Sequence, residues 1–241
     1  MFDPYILEST SPTDCKAWLM NGTDEYIEIP DSDTLSFGNG TTDSPFSITA
    51  WVYMHDSSRF QILNKFEGSN REYLFNTITS KKLLLVLYDS SISNTINRYC
   101  NVSMAAYENQ WAHVTATYDG SSSSSGIKLY INGNRVDTST TSTGSYTAMH
   151  NTSARAFVGL YEPNNWYADG KIDQLTVWNK ELSSTEITNV YSGDLSGLTG
   201  NIISGWNPAN TVDGSGGVVD SYGSNNGTLI NMTVADNVVD C

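Results

Sequence analysis

The chain has 241 residues, of which 12 are Lys or Arg and 26 are Asp or Glu, giving a formal charge of −14. A surface this acidic repels nucleic acid and anionic membranes, so neither is expected as a partner. Charged residues make up only 16 %, aromatics reach 11 %, and no apolar run approaches the roughly 18 residues a membrane helix needs. What remains is a loop-rich, β-rich globular chain.

In chain order, Met1-Phe2-Asp3-Pro4-Tyr5 lacks a basic region followed by an apolar stretch, so no ordinary secretory signal is expected. Phe46–Met54 alternates strictly, with Phe46, Ile48, Ala50, Val52 and Met54 on one face and Ser47, Thr49, Trp51 and Tyr53 on the other. A period of two rich in β-branched and aromatic residues predicts a strand buried on at least one side. Similar runs predict strands at Glu25–Ile29, Phe60–Asn64, Tyr73–Ile78, Leu83–Tyr88 and Ala112–Tyr118, then at Ile127–Asn132, Ala156–Leu160 and Ile172–Trp178. Asn132-Gly133, between Lys128–Ile131 and Arg135–Asp137, signals a hairpin because both residues tolerate positive φ. Ser121–Ser125 with Gly126 reads as a flexible loop between neighbouring strands. One helix is predicted: Ser183 and Glu186 have capping-box spacing, Ile187, Val190 and Tyr191 form a stripe, and Gly193 stops it. About ten strands with one short helix indicate an all-β antiparallel sandwich of two packed sheets.

The three cysteines, Cys15, Cys100 and Cys241, are too few and too scattered for a disulfide framework. They suit free thiols in a reducing compartment. Six Asn-x-Ser/Thr sequons, at Asn21, Asn39, Asn101, Asn151, Asn226 and Asn231, read as by-products of an Asn/Ser/Thr-rich composition. The Gly-rich stretch from Leu195 to Gly217 is the one plausible linker. The expected organisation is an N-terminal arm at 1–16, a sandwich at 17–194, and a connection with a C-terminal strand segment at 195–241.

Five segments, taken together, resemble the laminin-G-like, concanavalin A-like jelly-roll family. They are Trp18–Ile29, Phe46–Val52, Trp111–Val114, Lys128–Gly133 and Asp169–Ser183; the last is also similar to pentraxins. The resemblance implies a two-sheet jelly roll used mostly for binding glycan or protein, often with calcium. The order is also similar to laminin-G-like virion proteins of phages, which are made in the host cytoplasm without a signal. In one respect the chain departs from the family. The Trp and the Asp-Ser-x-Gly-x-x-Asn-Gly-Thr-Leu turn that usually precede the first strand lie late, at Trp206 and Asp220–Leu229. Termini of such sandwiches lie close together, so the late strand is expected to fill the early slot. The alternative is exchange into a neighbouring subunit, which would give a homo-oligomer.

Glycanases on this fold place carboxylates as Glu-x-Asp-x-x-Glu on one strand, aimed at a single sugar bond. That spacing is missing: Asp173 stands alone between Ile172 and Gln174, and reads as structural. His55, His113 and His150 are dispersed, and no nucleophile elbow, phosphate loop or His-Glu-x-x-His site occurs. No catalytic residue is therefore expected. Calcium wants six to eight oxygen ligands gathered in loops, and Glu162, Asn164, Asn165 and Asp169 follow a strand where pentraxins, by resemblance, bind calcium. Glu67 and Asn70 occupy the place of the partner loop. Asp220–Asn226 reads as an Asx-type turn. Sugars pack C–H faces on aromatic rings, which makes Tyr161, Trp166 and Tyr167 the candidate ligand contacts. The expected function is a non-enzymatic virion surface or fibre protein that binds glycan or neighbouring virion subunits. A glycan-cleaving enzyme on the same fold and a secreted lectin-like adhesin are the alternatives.

Overall fold

A computed structural model describes residues 16–89 and 94–241; Cys15 and nearly all of the expected N-terminal arm lie outside them. The first elements are β1 (Lys16–Asn21), β2 (Tyr26–Ile29), β3 (Phe46–Met54), β4 (Gln61–Glu67), β5 (Asn70–Thr77) and β6 (Leu83–Tyr88). There follow β7 (Thr95–Cys100), β8 (Trp111–Tyr118), β9 (Ile127–Ile131), β10 (Asn134–Arg135), β11 (Asp137–Thr143) and β12 (Ala156–Val158). Next come β13 (Leu160–Tyr161), β14 (Trp166–Tyr167), β15 (Asp169–Trp178), α1 (Ser184–Tyr191) and β16 (Ile202–Thr211). The chain closes with β17 (Val218–Asp220), β18 (Thr228–Ile230), α2 (Val234–Asn237) and β19 (Val238–Asp240).

Two antiparallel sheets pack face to face as a jelly-roll sandwich. The first runs β10-β9-β8-β3-β15-β1-β19, with β16 and β17 branching from β15; the second runs β11-β7-β6-β5-β4-β12-β2-β18. Alternation in the sequence decides which side chains lie between them. Phe46, Ile48, Ala50, Val52 and Met54 are fully buried in the central core, opposite Tyr73, Phe75, Leu83, Leu85 and Leu87 of the second sheet. The other face of β3 is covered too. Ser47 and Thr49 are buried there, and Ser47 Oγ donates to the carbonyl of Lys180 and accepts from the amide of Leu182.

Local chemistry places the connections. Asn132 and Gly133 have φ of 49° and 76°, the two left-handed residues of the tight turn their types favour. The hairpin's second strand, expected to run to Asp137, pairs for only two residues. At Asp137 the chain crosses to the second sheet as β11. There the buried Asp137 carboxylate accepts from the amide of Leu129 at 2.8 Å and from Arg135 at 3.0 Å, which anchors the crossover. Helix α1 starts with the full capping box: Ser183 accepts from Glu186 N–H, and Glu186 reaches back to Ser183 N–H.

The stretch 195–217, read as a linker, contains a ten-residue strand, β16. Its register explains why: β15 gives one edge first to β1, over Asp169–Ile172, and then to β16, over Leu175–Trp178. The C-terminal strands pair within the chain, β18 on β2 and β19 on β1, one at an edge of each sheet.

Candidate functional site

The outer face of the second sheet forms an open groove. Residues 73, 75, 83, 85, 87 and 96 point into the sandwich, so period two turns Leu74, Asn76, Leu84, Val86, Tyr88, Asn97 and Tyr99 outward. The registers set them in rows: Asn76 beside Leu84 beside Tyr99, and Leu74 beside Val86 beside Asn97. Along one side stands the β13–β14 hairpin, carrying Tyr161 and Trp166. The groove so enclosed has a volume of about 290 Å³.

Rings hold one another in place along that side. Tyr161 lies 5.3 Å from Trp166 and 5.3 Å from Phe66, and Phe66 meets Tyr88 edge to face at 5.2 Å. Arg59 stacks its guanidinium 4.2 Å over Trp166, and Arg71 lies 5.3 Å from the Phe66 ring centre; each fixes an aromatic plane. Burial pushes the phenols of Tyr88 and Tyr161 up, so both remain neutral hydroxyls. Asn76 spends its Nδ2 on Gln61 at 3.1 Å. The Oδ1 atoms of Asn76 and Asn97 are buried and have no hydrogen-bond partner among the described residues. No Asp or Glu is among the described residues that line the groove.

The residues expected to hold calcium meet only in part. Glu162 Oε2 accepts from Gly68 N–H at 3.1 Å, so the two loops do touch. Glu67, however, is taken by Arg155, whose Nε lies 3.0 Å from Oε1 and whose backbone N–H lies 3.1 Å from Oε2. Asn70 donates to Ser153 Oγ. Asn164 ends a 3-10 turn and Asn165 caps it at φ 50°. Asp169 lies 2.8 Å from His55 Nδ1. Among the described residues no three His, Cys, Asp or Glu side chains gather where they could hold a metal ion. The donors do not fit a resident calcium ion, which needs more converging oxygens.

Arg155, hydrogen-bonded to Glu67, holds that carboxyl below its ordinary 4.5. A lowered folded value means the contact stabilises fully above the unfolded pKa and is lost as pH falls through the folded one. Glu67→Gln is therefore expected to lower the melting temperature at pH 7 by roughly 1–3 °C. The gap should close in acid; a gap of constant size from pH 7 to pH 3 would contradict the assignment.

Of the expected ligand contacts, Tyr161 and Trp166 line the groove. Tyr167 turns to the other side of its two-residue strand, 6.2 Å from Tyr26. The groove residues that sequence reasoning missed are Asn76, Tyr88, Asn97 and Tyr99. Their signal was the alternate positions of β5, β6 and β7.

Fold and groove together define a two-sheet jelly roll with an aromatic-lined groove on the outside of one sheet. The chain belongs to the concanavalin A-like lectin/glucanases superfamily, through the Laminin_G_3 model that matches residues 21–188. No curated protein sequence matches the chain. Among solved structures, a putative carbohydrate binding protein from Bacteroides ovatus shares the fold with a TM-score of 0.63 at 18 % identity, over 93 % of this chain and 61 % of that one. Domain 4 of the extracellular arabinanase AbnA from Geobacillus stearothermophilus, solved with arabinotriose, gives 0.53 at 17 % identity over 76 % and 79 %. The binding domain of Paraclostridial Mosquitocidal Protein 1 gives 0.50 at 14 % over 77 % and 42 %. The chain thus spans less than two thirds of the first and last of these.

Proposed function

We propose that the protein is a non-enzymatic glycan-binding module whose ligand lies along the outer face of the second sheet. The observation that carries this reading is the groove itself, which is lined by four aromatic side chains together with Asn76 and Asn97. Sugar C–H faces pack on rings while hydroxyls seek amide and hydroxyl groups at the edge of such a face. Cleaving a glycosidic bond takes a pair of carboxylates, and the described lining offers none. The setting we propose, the surface or fibre of a phage particle with neighbouring subunits as further partners, rests on the family resemblance alone.

The test is a glycan array followed by calorimetry, with arabinotriose as the first defined probe because the arabinanase domain was solved with it. Trp166→Ala and Asn97→Ala should each weaken the best ligand about tenfold, ~1.4 kcal/mol. Binding that both variants leave intact would move the site elsewhere. Release of reducing ends from that ligand would make the protein an enzyme and overturn the reading.

A further inference from the structure

Strands β1 and β19 pair antiparallel as Lys16↔Asp240, Ala17↔Val239 and Trp18↔Val238. Side chains pin that register. Lys16 Nζ donates to Asp240 Oδ1 at 2.7 Å, Lys171 Nζ donates to the Asp240 carbonyl at 3.2 Å, and Asn237 Nδ2 donates to the carbonyl of Leu19 at 2.9 Å. In the sequence, Cys15 precedes Lys16 and Cys241 follows Asp240. Antiparallel pairing counts down one strand as it counts up the other, so one further step of the same register matches position 15 with position 241.

The face agrees as well. Ala17 is fully buried in a cluster with Trp51, Trp111 and Tyr191, and the half-buried Cys241 packs against that same cluster. Residues two apart on a strand share a face, so a cysteine two positions before Ala17 belongs to the face on which Cys241 lies. Residues directly opposite each other in an antiparallel pair have Cα atoms about 4.5 or 5.5 Å apart. A disulfide spans Cα separations of about 4.4–6.8 Å, so either kind of pair can be bridged without moving the backbone.

The third cysteine does not compete. Cys100 is buried in the central core between the sheets, where its Sγ lies 3.0 Å from the Val102 carbonyl and 3.1 Å from the Leu83 amide nitrogen. Burial pushes its thiol up, away from the thiolate that exchange chemistry needs. The odd count thus divides into one pair and one buried thiol. A bridge would also have something to hold: β19 is only three residues long, at the edge of its sheet, and short outer segments of this kind fray first.

We propose that Cys15 and Cys241 form a disulfide that locks β19 onto β1, in place of the two free thiols expected from their scatter along the sequence. The bond forms by exchange with a small-molecule disulfide. One cysteine thiolate attacks a sulfur of that disulfide and expels a thiol, and the second attacks the mixed disulfide and expels the other. Two protein thiols and one external disulfide become one protein disulfide and two small thiols.

The full chain would be reduced, treated with oxidised glutathione, denatured, alkylated with N-ethylmaleimide and measured by intact mass spectrometry. At monomer mass, only Cys100 should be alkylated after oxidation, and all three cysteines after reduction. Trypsin should release Met1–Lys16 joined to Glu181–Cys241, since neither peptide has an internal Lys or Arg. Cys15→Ser and Cys241→Ser should each lower the melting temperature of the oxidised protein by roughly 5–15 °C. The two changes together should lower it no further, and the reduced parent should melt with them. Cys100→Ser should still form the bridge. The proposal is overturned by three alkylated cysteines after oxidation, by glutathione retained in place of the bridge, by a bridge that includes Cys100, or by a disulfide-linked dimer. An oxidised parent that melts with the serine variants would overturn it too.

Discussion

Removing residues 202–241 is expected to abolish cooperative folding altogether. The truncation uncovers half of one edge of β15, strips β18 from β2, and strips β19 from β1. It also takes Trp206, Val218, Leu229 and Met232 out of the central core. Burying each such side chain stabilises by roughly 1.5–3 kcal/mol, so their joint loss approaches the whole 5–15 kcal/mol typical of a domain. Polar ties go with them: Trp18 Nε1 would lose Thr211 Oγ1, its partner at 3.0 Å. Exposed strand edges then pair between chains, and the truncated protein should aggregate. Trp206→Ala is the graded version; it leaves the chain length intact and should cost about 3–5 kcal/mol in urea unfolding. A truncation that unfolds cooperatively at the parent midpoint would show that the tail is only an appendage.

The elements that could be read from the sequence are those whose own chemistry decides their shape. β3 alternates over nine residues, Asn132-Gly133 demands a tight turn, and Ser183 with Glu186 fixes a helix start. β11 escaped because Ser and Thr fill six of its seven positions at the edge of its sheet, and β7 escaped because Arg98 interrupts the alternation that Ile96 and Cys100 would otherwise give. β16 escaped because Gly205, Asn207 and Pro208 interrupt it. Its identity as a strand comes from β15, a partner distant in sequence. The same non-local logic hid most of the groove. Leu83–Tyr88 reads as an unbroken apolar run, buried on both sides, which conceals that Leu84, Val86 and Tyr88 wall the groove. Tyr161 and Trp166 could be found because aromatics beside Asn residues in a loop are conspicuous. Tyr167 could have been set apart from them by period two alone, since adjacent strand residues face opposite ways.

A comparably large loss should follow from one methionine. Lys65 is fully buried, and its Nζ lies 2.7 Å from Asp31, 2.8 Å from Glu72 and 2.9 Å from the carbonyl of Ala154. Glu72 is equally buried and also accepts from Thr152, through both its N–H and its hydroxyl. One ammonium therefore ties the loop before β3 to the segment before β12 at one end of the sandwich. Lys65→Met keeps the apolar stem but leaves the Glu72 carboxylate buried without its cation, which should cost about 3–5 kcal/mol. The double variant Lys65→Met with Glu72→Gln removes the stranded charge while keeping an acceptor for Thr152. It should lose at least about 1 kcal/mol less than the sum of the single changes, the mark of a directly coupled pair. Because Phe66, next in the chain, backs Tyr161 in the groove, the single variant should also weaken the glycan binding proposed for that groove, and the double variant should restore part of it. Urea unfolding of the three variants decides the matter: a Lys65→Met loss below about 1 kcal/mol would mean that water reaches the pair and that the ammonium does not hold the two segments together.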